Sequence, residues 1–175
     1  FDAAVRIGGS AASNLVGRRI GTTALVCCAA PSYLAAHGEP RTPEELVRHP
    51  CLLYQYAAQR DVWTFTGPGG TAHRIRVSGP VFANSGSFLA AMAREGAGIT
   101  YEPDFAVGPD VRTGLLVPIL RDYPPPTAPI HVMYPSRRHL SAKVRVFAQF
   151  LAERFAVPEW ALGPVGRAAG PRKSR

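Results

Sequence analysis

The sequence predicts an α/β fold, and three observations predict it. Runs of strand length, either alternating or wholly apolar, recur along the chain. Segments with helix caps and helix spacing fall between them. The connections are long enough for crossovers that pair strands in parallel. The 175 residues, 46% hydrophobic and 18% charged, suffice for one sizeable core or two small lobes. No internal repeat of the solenoid kind is present.

The first run, "FDAAVRIGG", places Ala3, Val5 and Ile7 on one face and Asp2, Ala4 and Arg6 on the other, and stops at Gly8-Gly9. "SAASNLVGRR" reads as a loop. "IGTTALVCCAA" is apolar nearly throughout, as a strand covered on both faces is. Pro31 opens a short helix that Gly38 ends. In "RTPEELVRHP", Thr42 is the expected N-cap, Pro43 the first helical residue and Glu45 the closing member of a capping box. Pro50 ends that helix, and "CLLYQY" follows as a strand. "DVWTFTG" and "HRIRVSG" pair across the turn "GPGGTA", with Trp63, Phe65, Ile75 and Val77 toward a core.

An extended run then reaches Asn84, and Asn84-Ser85-Gly86-Ser87 caps a helix over roughly 88–95 with Leu89, Met92 and Ala93 as its buried stripe. Gly96 stops it. "GAGITYEP" is a strand, "PDFAV" a short helix, "PDVRTG" a turn and "LLVPIL" a strand. "RDYPPPTAP" holds four prolines and reads as a connector. "IHVMYP" is a strand with Ile130, Val132 and Tyr134 on one side. Leu140, Val144, Phe147, Leu151 and Phe155 form one apolar stripe on a last helix, which Ser136 or Ser141 caps. Residues 158–175 read as a disordered basic tail.

The formal charge of +8 does not by itself indicate a nucleic-acid surface. The tail carries +3 of it, and the other +5 is spread along the chain without a dense Lys/Arg block. Cys27, Cys28 and Cys51 are odd in number and fit no metal spacing; adjacent in a strand, Cys27 and Cys28 point to opposite faces, and a reduced cytoplasmic setting suits them. His37, His49, His73, His131 and His139 show no metal-ligand spacing, so no metal or other cofactor is expected. There is no G-x-S-x-G, and the glycines at 67–70 lack the Lys-Ser/Thr of a P-loop, so no catalytic residue is assigned. No apolar run is long enough to span a membrane.

Two places suit ligand binding. Asn84, Ser85 and Gly86 lie where a strand feeds a helix, and free backbone N–H groups there can hold an anion; plain helix capping is the alternative. Arg6, Ile7 and Gly8 end the first strand, beyond which ligands sit in open α/β sheets. Arg6 is also explained as a surface arginine.

Four stretches together carry a resemblance: "FDAAVRIGG" with "SNLVGRRI"; "LVCCAAPSYLAAHGEPRTPEELVRHPCLLY"; "VSGPVFANSGSFLAAMAREGAGI"; and "GLLVPIL" with "YPSRRHLSAKVRVFAQFLAERF". Over about residues 1–157 the chain resembles the C-terminal effector-binding domain of LysR-type transcriptional regulators. The resemblance implies a two-lobed, type 2 periplasmic-binding-protein-like architecture with a small effector between the lobes. Residues 1–28 would belong to the first lobe, 29–125 to the second and 126–157 to the return. It implies that the start of the first lobe, a winged helix-turn-helix and a linker helix lie outside this chain. DNA binding would belong to that absent domain, and the parent would be a cytoplasmic homodimer or homotetramer. It adds Ile99 and Thr100, near the expected hinge, and Tyr134 and Pro135, at the exit of the last strand, to the ligand-contact candidates. Relatives often carry apolar residues before a proline where this chain has Thr100-Tyr101-Glu102. A stand-alone solute-binding protein of the same fold is the alternative, and a fragment that binds nothing is a third reading.

Overall fold

A computed structural model describes residues 2–8, 15–57, 61–135 and 141–156. The expectations for Gly9, residues 10–14 of the loop, Ser136, His139, Leu140 and the tail 158–175 lie outside them; the rest of that loop, from Val16, is instead strand, paired with the strand Thr127–Tyr134.

The fold is organised by one long strand, β2 (Val16–Ala29). Its Val16–Ala24 stretch pairs with β9 (Thr127–Tyr134), which pairs on its other side with β1 (Ala4–Ile7). From Leu25 onward β2 pairs instead with β7 (Ile99–Pro103) and, at its end, with β8 (Val117–Pro118). β7 continues to β3 (Cys51–Tyr54) and β6 (Val81–Ala83), giving the order β1-β9-β2-β7-β3-β6. The change of partner falls between Ala24, opposite Thr127, and Leu25, opposite Pro103.

Parallel pairing is confined to β3–β6 and β3–β7; the pairs made by β1, β2, β8 and β9 are antiparallel. The physical reason is that β9 lies between β1 and β2. Those two strands run the same way but share an antiparallel neighbour that arrives from far along the chain, so no crossover helix is needed between them.

Three apolar clusters cover the sheet. Cys27, Leu53 and Ile99 face Tyr33 of α1 (Pro31–His37), Leu46, and Trp63 and Phe65 of the hairpin β4 (Val62–Thr66)–β5 (Ala72–Arg76). On the opposite face Val26, Cys28 and Leu52 pack under Leu89 and Ala93 of α2 (Gly86–Arg94) and Val107 of α3 (Asp104–Thr113). Alternation along β2 therefore sends the two adjacent cysteines to different cores; both are buried, as is Cys51, and all three are free. The third cluster sets Ile20, Ile130, Val132 and Tyr134 against Val144 and Ala148 of α4 (Ala142–Ala156).

Several expected details change. Residues Pro43–Arg48 form a 3-10 turn rather than an α-helix, and the Thr42 side chain does not cap it. Glu45 instead accepts the backbone N–H of Arg41 at 2.8 Å. The segment read as a turn, "PDVRTG", continues α3 through Pro109. Gly98 takes a φ of +153°, and a Cβ there would run into the carbonyl of Pro50; this lets β7 start tightly against the chain leading into β3.

Candidate functional site

Because β3, β6 and β7 are parallel, their C-terminal ends Tyr54, Ala83 and Pro103 share one edge of the sheet. In open α/β sheets that edge is where ligands collect. α2 begins there. Asn84 and Ser85 are exposed just past β6, and Ser85 caps the helix, its Oγ accepting the backbone N–H of Phe88 at 3.3 Å.

The other contribution comes from β1. Ile7 lies opposite Ile130, which lies opposite Gly21 of β2, and the Gly8 N–H bonds the Pro129 carbonyl at 2.9 Å. Arg6, Ile7 and Gly8 thus approach the β2 stretch 22–25 from one side, while Glu102 and Pro103 approach it from the other, opposite Val26 and Leu25. Five strand rises separate Gly21 from Val26, about 17 Å at the usual rise. Within that stretch Thr23 is buried, and its hydroxyl donates to Asp104 Oδ1 at 2.7 Å.

Not every predicted contact reaches this edge. Ile99 begins β7, and it is fully buried beneath the hairpin in the first core. Tyr134 and Pro135 sit at the far end of β9, where Tyr134 pairs with Val16 and packs toward α4. Four strand rises, about 13 Å, separate Tyr134 from Ile130. The strand topology sets these three residues apart from the edge where Asn84 and Ser85 lie. Thr100 lies on the α2–α3 face, opposite Cys28 and Leu52, buried behind the edge.

One residue left off the predicted contacts belongs beside them. Glu102 lies two residues after Thr100 on the same face, with only 3% of its surface exposed. A Cβ on Gly86 would collide with its Oε2 and lie 3.3 Å from its Cδ, so this carboxyl rests against the first residue of α2. Its Oε1 and the Thr100 Oγ1 are both buried without a hydrogen-bond partner among the described residues. Burial pushes the Glu102 carboxyl up to about 7. The signal in sequence was the polar Thr100-Tyr101-Glu102 run itself: alternation places Thr100 and Glu102 on the face that otherwise packs Val26, Cys28 and Leu52.

Neighbouring acids are differently placed. Asp104 has its Thr23 donor, and Asp110 receives Arg94 Nη1 at 3.0 and 3.2 Å from its two oxygens. Burial raises the Cys28 thiol, and the charges of Glu102 and Asp110 add to that. On the opposite face Tyr101 stacks on Trp63 and donates its hydroxyl to the Thr64 carbonyl at 2.7 Å, fastening the hairpin to β7.

The LysR substrate binding domain family matches residues 1–156. The chain belongs to this family. An uncharacterized HTH-type transcriptional regulator of Haemophilus influenzae is 41% identical over 144 residues, 82% of this chain and 50% of that protein. The HTH-type transcriptional regulator DmlR of Escherichia coli is 35% identical over 159 residues, 89% of this chain and 50% of that protein. The CrgA regulatory domain from Neisseria meningitidis, a LysR-type transcriptional regulator, superposes with a TM-score of 0.77 at 32% identity, covering 88% of this chain and 75% of that one. This LysR substrate-binding domain thus has the type 2 periplasmic-binding-protein-like fold, and it spans about half the length of the curated relatives it matches. Among its described residues, no helix is long and apolar enough to cross a membrane.

Proposed function

We propose that this LysR substrate-binding domain is the effector sensor of a transcriptional regulator. A small anionic or aromatic molecule binds between the two strand systems that meet on β2, and its binding changes how an attached winged helix-turn-helix holds DNA. The family match over residues 1–156 carries this reading. The contacts we assign are Arg6, Ile7 and Gly8 on one side, and Asn84, Ser85 and Gly86, backed by Thr100, on the other. The lobes divide where β2 changes partner, and the effector works by favouring one lobe or subunit arrangement over another. The complete regulator is a cytoplasmic homodimer or homotetramer, and DNA contact belongs to its N-terminal domain.

The test is a screen of small carboxylates and aromatics against the full-length protein. It is read by ligand-induced thermal shift and by binding to DNA from beside its own gene. A ligand that shifts both in the parent, and neither in an Asn84→Leu/Ser85→Leu variant that still folds and binds DNA, supports the assignment. A full-length protein that is exported and does not bind DNA overturns it.

A further inference from the structure

We propose that Glu102 makes anion binding at the N-terminus of α2 proton-coupled: an anionic effector seats there together with a proton on Glu102, and loss of that proton drives it off. This rests on the reading above that Asn84, Ser85 and Gly86 contact the effector.

The geometry carries the argument. The first turn of α2 offers backbone N–H groups and the positive end of a nine-residue helix dipole to the sheet edge. From the sheet side, the Glu102 carboxyl lies against Gly86 in the same turn. Its Oε1 has no donor among the described residues, and neither does the nearby Thr100 Oγ1. A structural buried carboxylate would be ion-paired or hydrogen-bonded. Among the described residues Glu102 is neither, and burial favours the neutral acid.

The charged and titratable groups around it do not supply the missing partner. Cys28 on β2 has a thiol that burial keeps protonated. Asp104, at the head of α3, is hydrogen-bonded by Thr23, and Asp110 farther along α3 is paired with Arg94 at the other end of α2. Arg94 is therefore engaged by Asp110. An anion at the α2 N-terminus meets an ionised Glu102 against the same turn. Two like charges at such a distance repel strongly enough to change affinity by about tenfold or more. Protonation from solvent removes the repulsion, and by linkage a bound anion must favour the protonated acid to the same extent.

Sulfate is a suitable probe, because its charge is constant across the range. Its dissociation constant is measured on the full-length protein by calorimetry at about pH 6 and about pH 8.5, on either side of the Glu102 transition. The amide signals of Gly86 and Ser87 report the site. Binding at Gly86 and Ser87 is expected to weaken about tenfold or more between the two conditions in the parent. In Glu102→Gln it is expected to vary much less and to match or exceed the parent's affinity at the higher pH. The carboxyl carbon of Glu102 gives a second reading that needs no variant: saturating sulfate should move its titration to higher pH. The proposal is overturned if sulfate does not perturb Gly86 and Ser87, if the variant keeps the parent's pH dependence, or if the Glu102 titration ignores sulfate. If any of these occurs while a small molecule still alters DNA binding, the sensor reading stands and only the proton coupling is lost.

Discussion

Glu102 also sets a stability dependence on pH. Its ordinary value of 4.5 is pushed up to about 7 by burial. Between those values the folded chain holds a proton that the unfolded chain has released, so this residue's contribution falls as pH rises through that window and is constant above it. The full cost of ionising the buried group is at most about 3 kcal/mol. Glu102→Gln should therefore show little change in urea stability near pH 4.5 and a gain over the parent above about pH 7. A difference curve that stays flat across the window would show that the carboxyl is solvated. Gly86 belongs to the same local argument, since any Cβ there meets the Glu102 carboxyl. Gly86→Ala should cost about 1–3 kcal/mol. Much of that cost should vanish in the Glu102→Ala background, a coupling that a double-mutant cycle reads directly.

At the scale of elements, α3 and α4 show what could be read from sequence and what could not. Helix spacing found α4, and three of its expected stripe residues, Val144, Leu151 and Phe155, do face the sheet. Phe147 does not; it is exposed, and Ala148 is buried in its place. Both residues fit a helical stripe, and hydropathy favours the larger one. Close approach of helix to sheet favours the smaller, and nothing local in the sequence encodes that distance. The turn chemistry of Gly108-Pro109 hid the second half of α3 in the same way. Tertiary ties hold that helix: Thr23 grips Asp104 at its start and Arg94 grips Asp110 beyond the proline. The Thr23 bond spans 81 residues and is invisible to any local pattern. Thr23→Val should leave the buried Asp104 carboxylate without that donor and lower stability by about 2–3 kcal/mol. Thr22→Val, on the exposed neighbour, serves as the control in the same denaturation series.

For the whole molecule, the α2 cap at Ser85 was legible because capping is local, whereas the site became legible only once strand directions were known. Parallel β3, β6 and β7 bring Asn84 and Glu102 to one edge, and the antiparallel course of β9 carries Tyr134 away from it. The same topology leaves apolar surface at the outer end of the sheet. Val146 and Phe150 on α4 are 67% and 59% exposed, Phe147 is also exposed, and Val5 and Ile7 are exposed on β1 at the edge of the sheet. Five large apolar side chains open to water on two elements exceed the scattered exposure normal for a soluble surface, so they favour association. Within the helix, Val146 and Phe150 lie one turn apart on the side away from Val144 and Ala148. Polar replacement there should remove stickiness without opening the core. The 175-residue chain produced by itself is thus expected to self-associate in sedimentation runs as concentration rises. Val146→Lys with Phe150→Lys should shift it toward monomer while moving the thermal midpoint by no more than a surface substitution does, about 0.5 kcal/mol per site. If the double variant associates as strongly as the parent, the contact lies elsewhere. If instead it unfolds, those two side chains are packed more deeply than their exposure indicates.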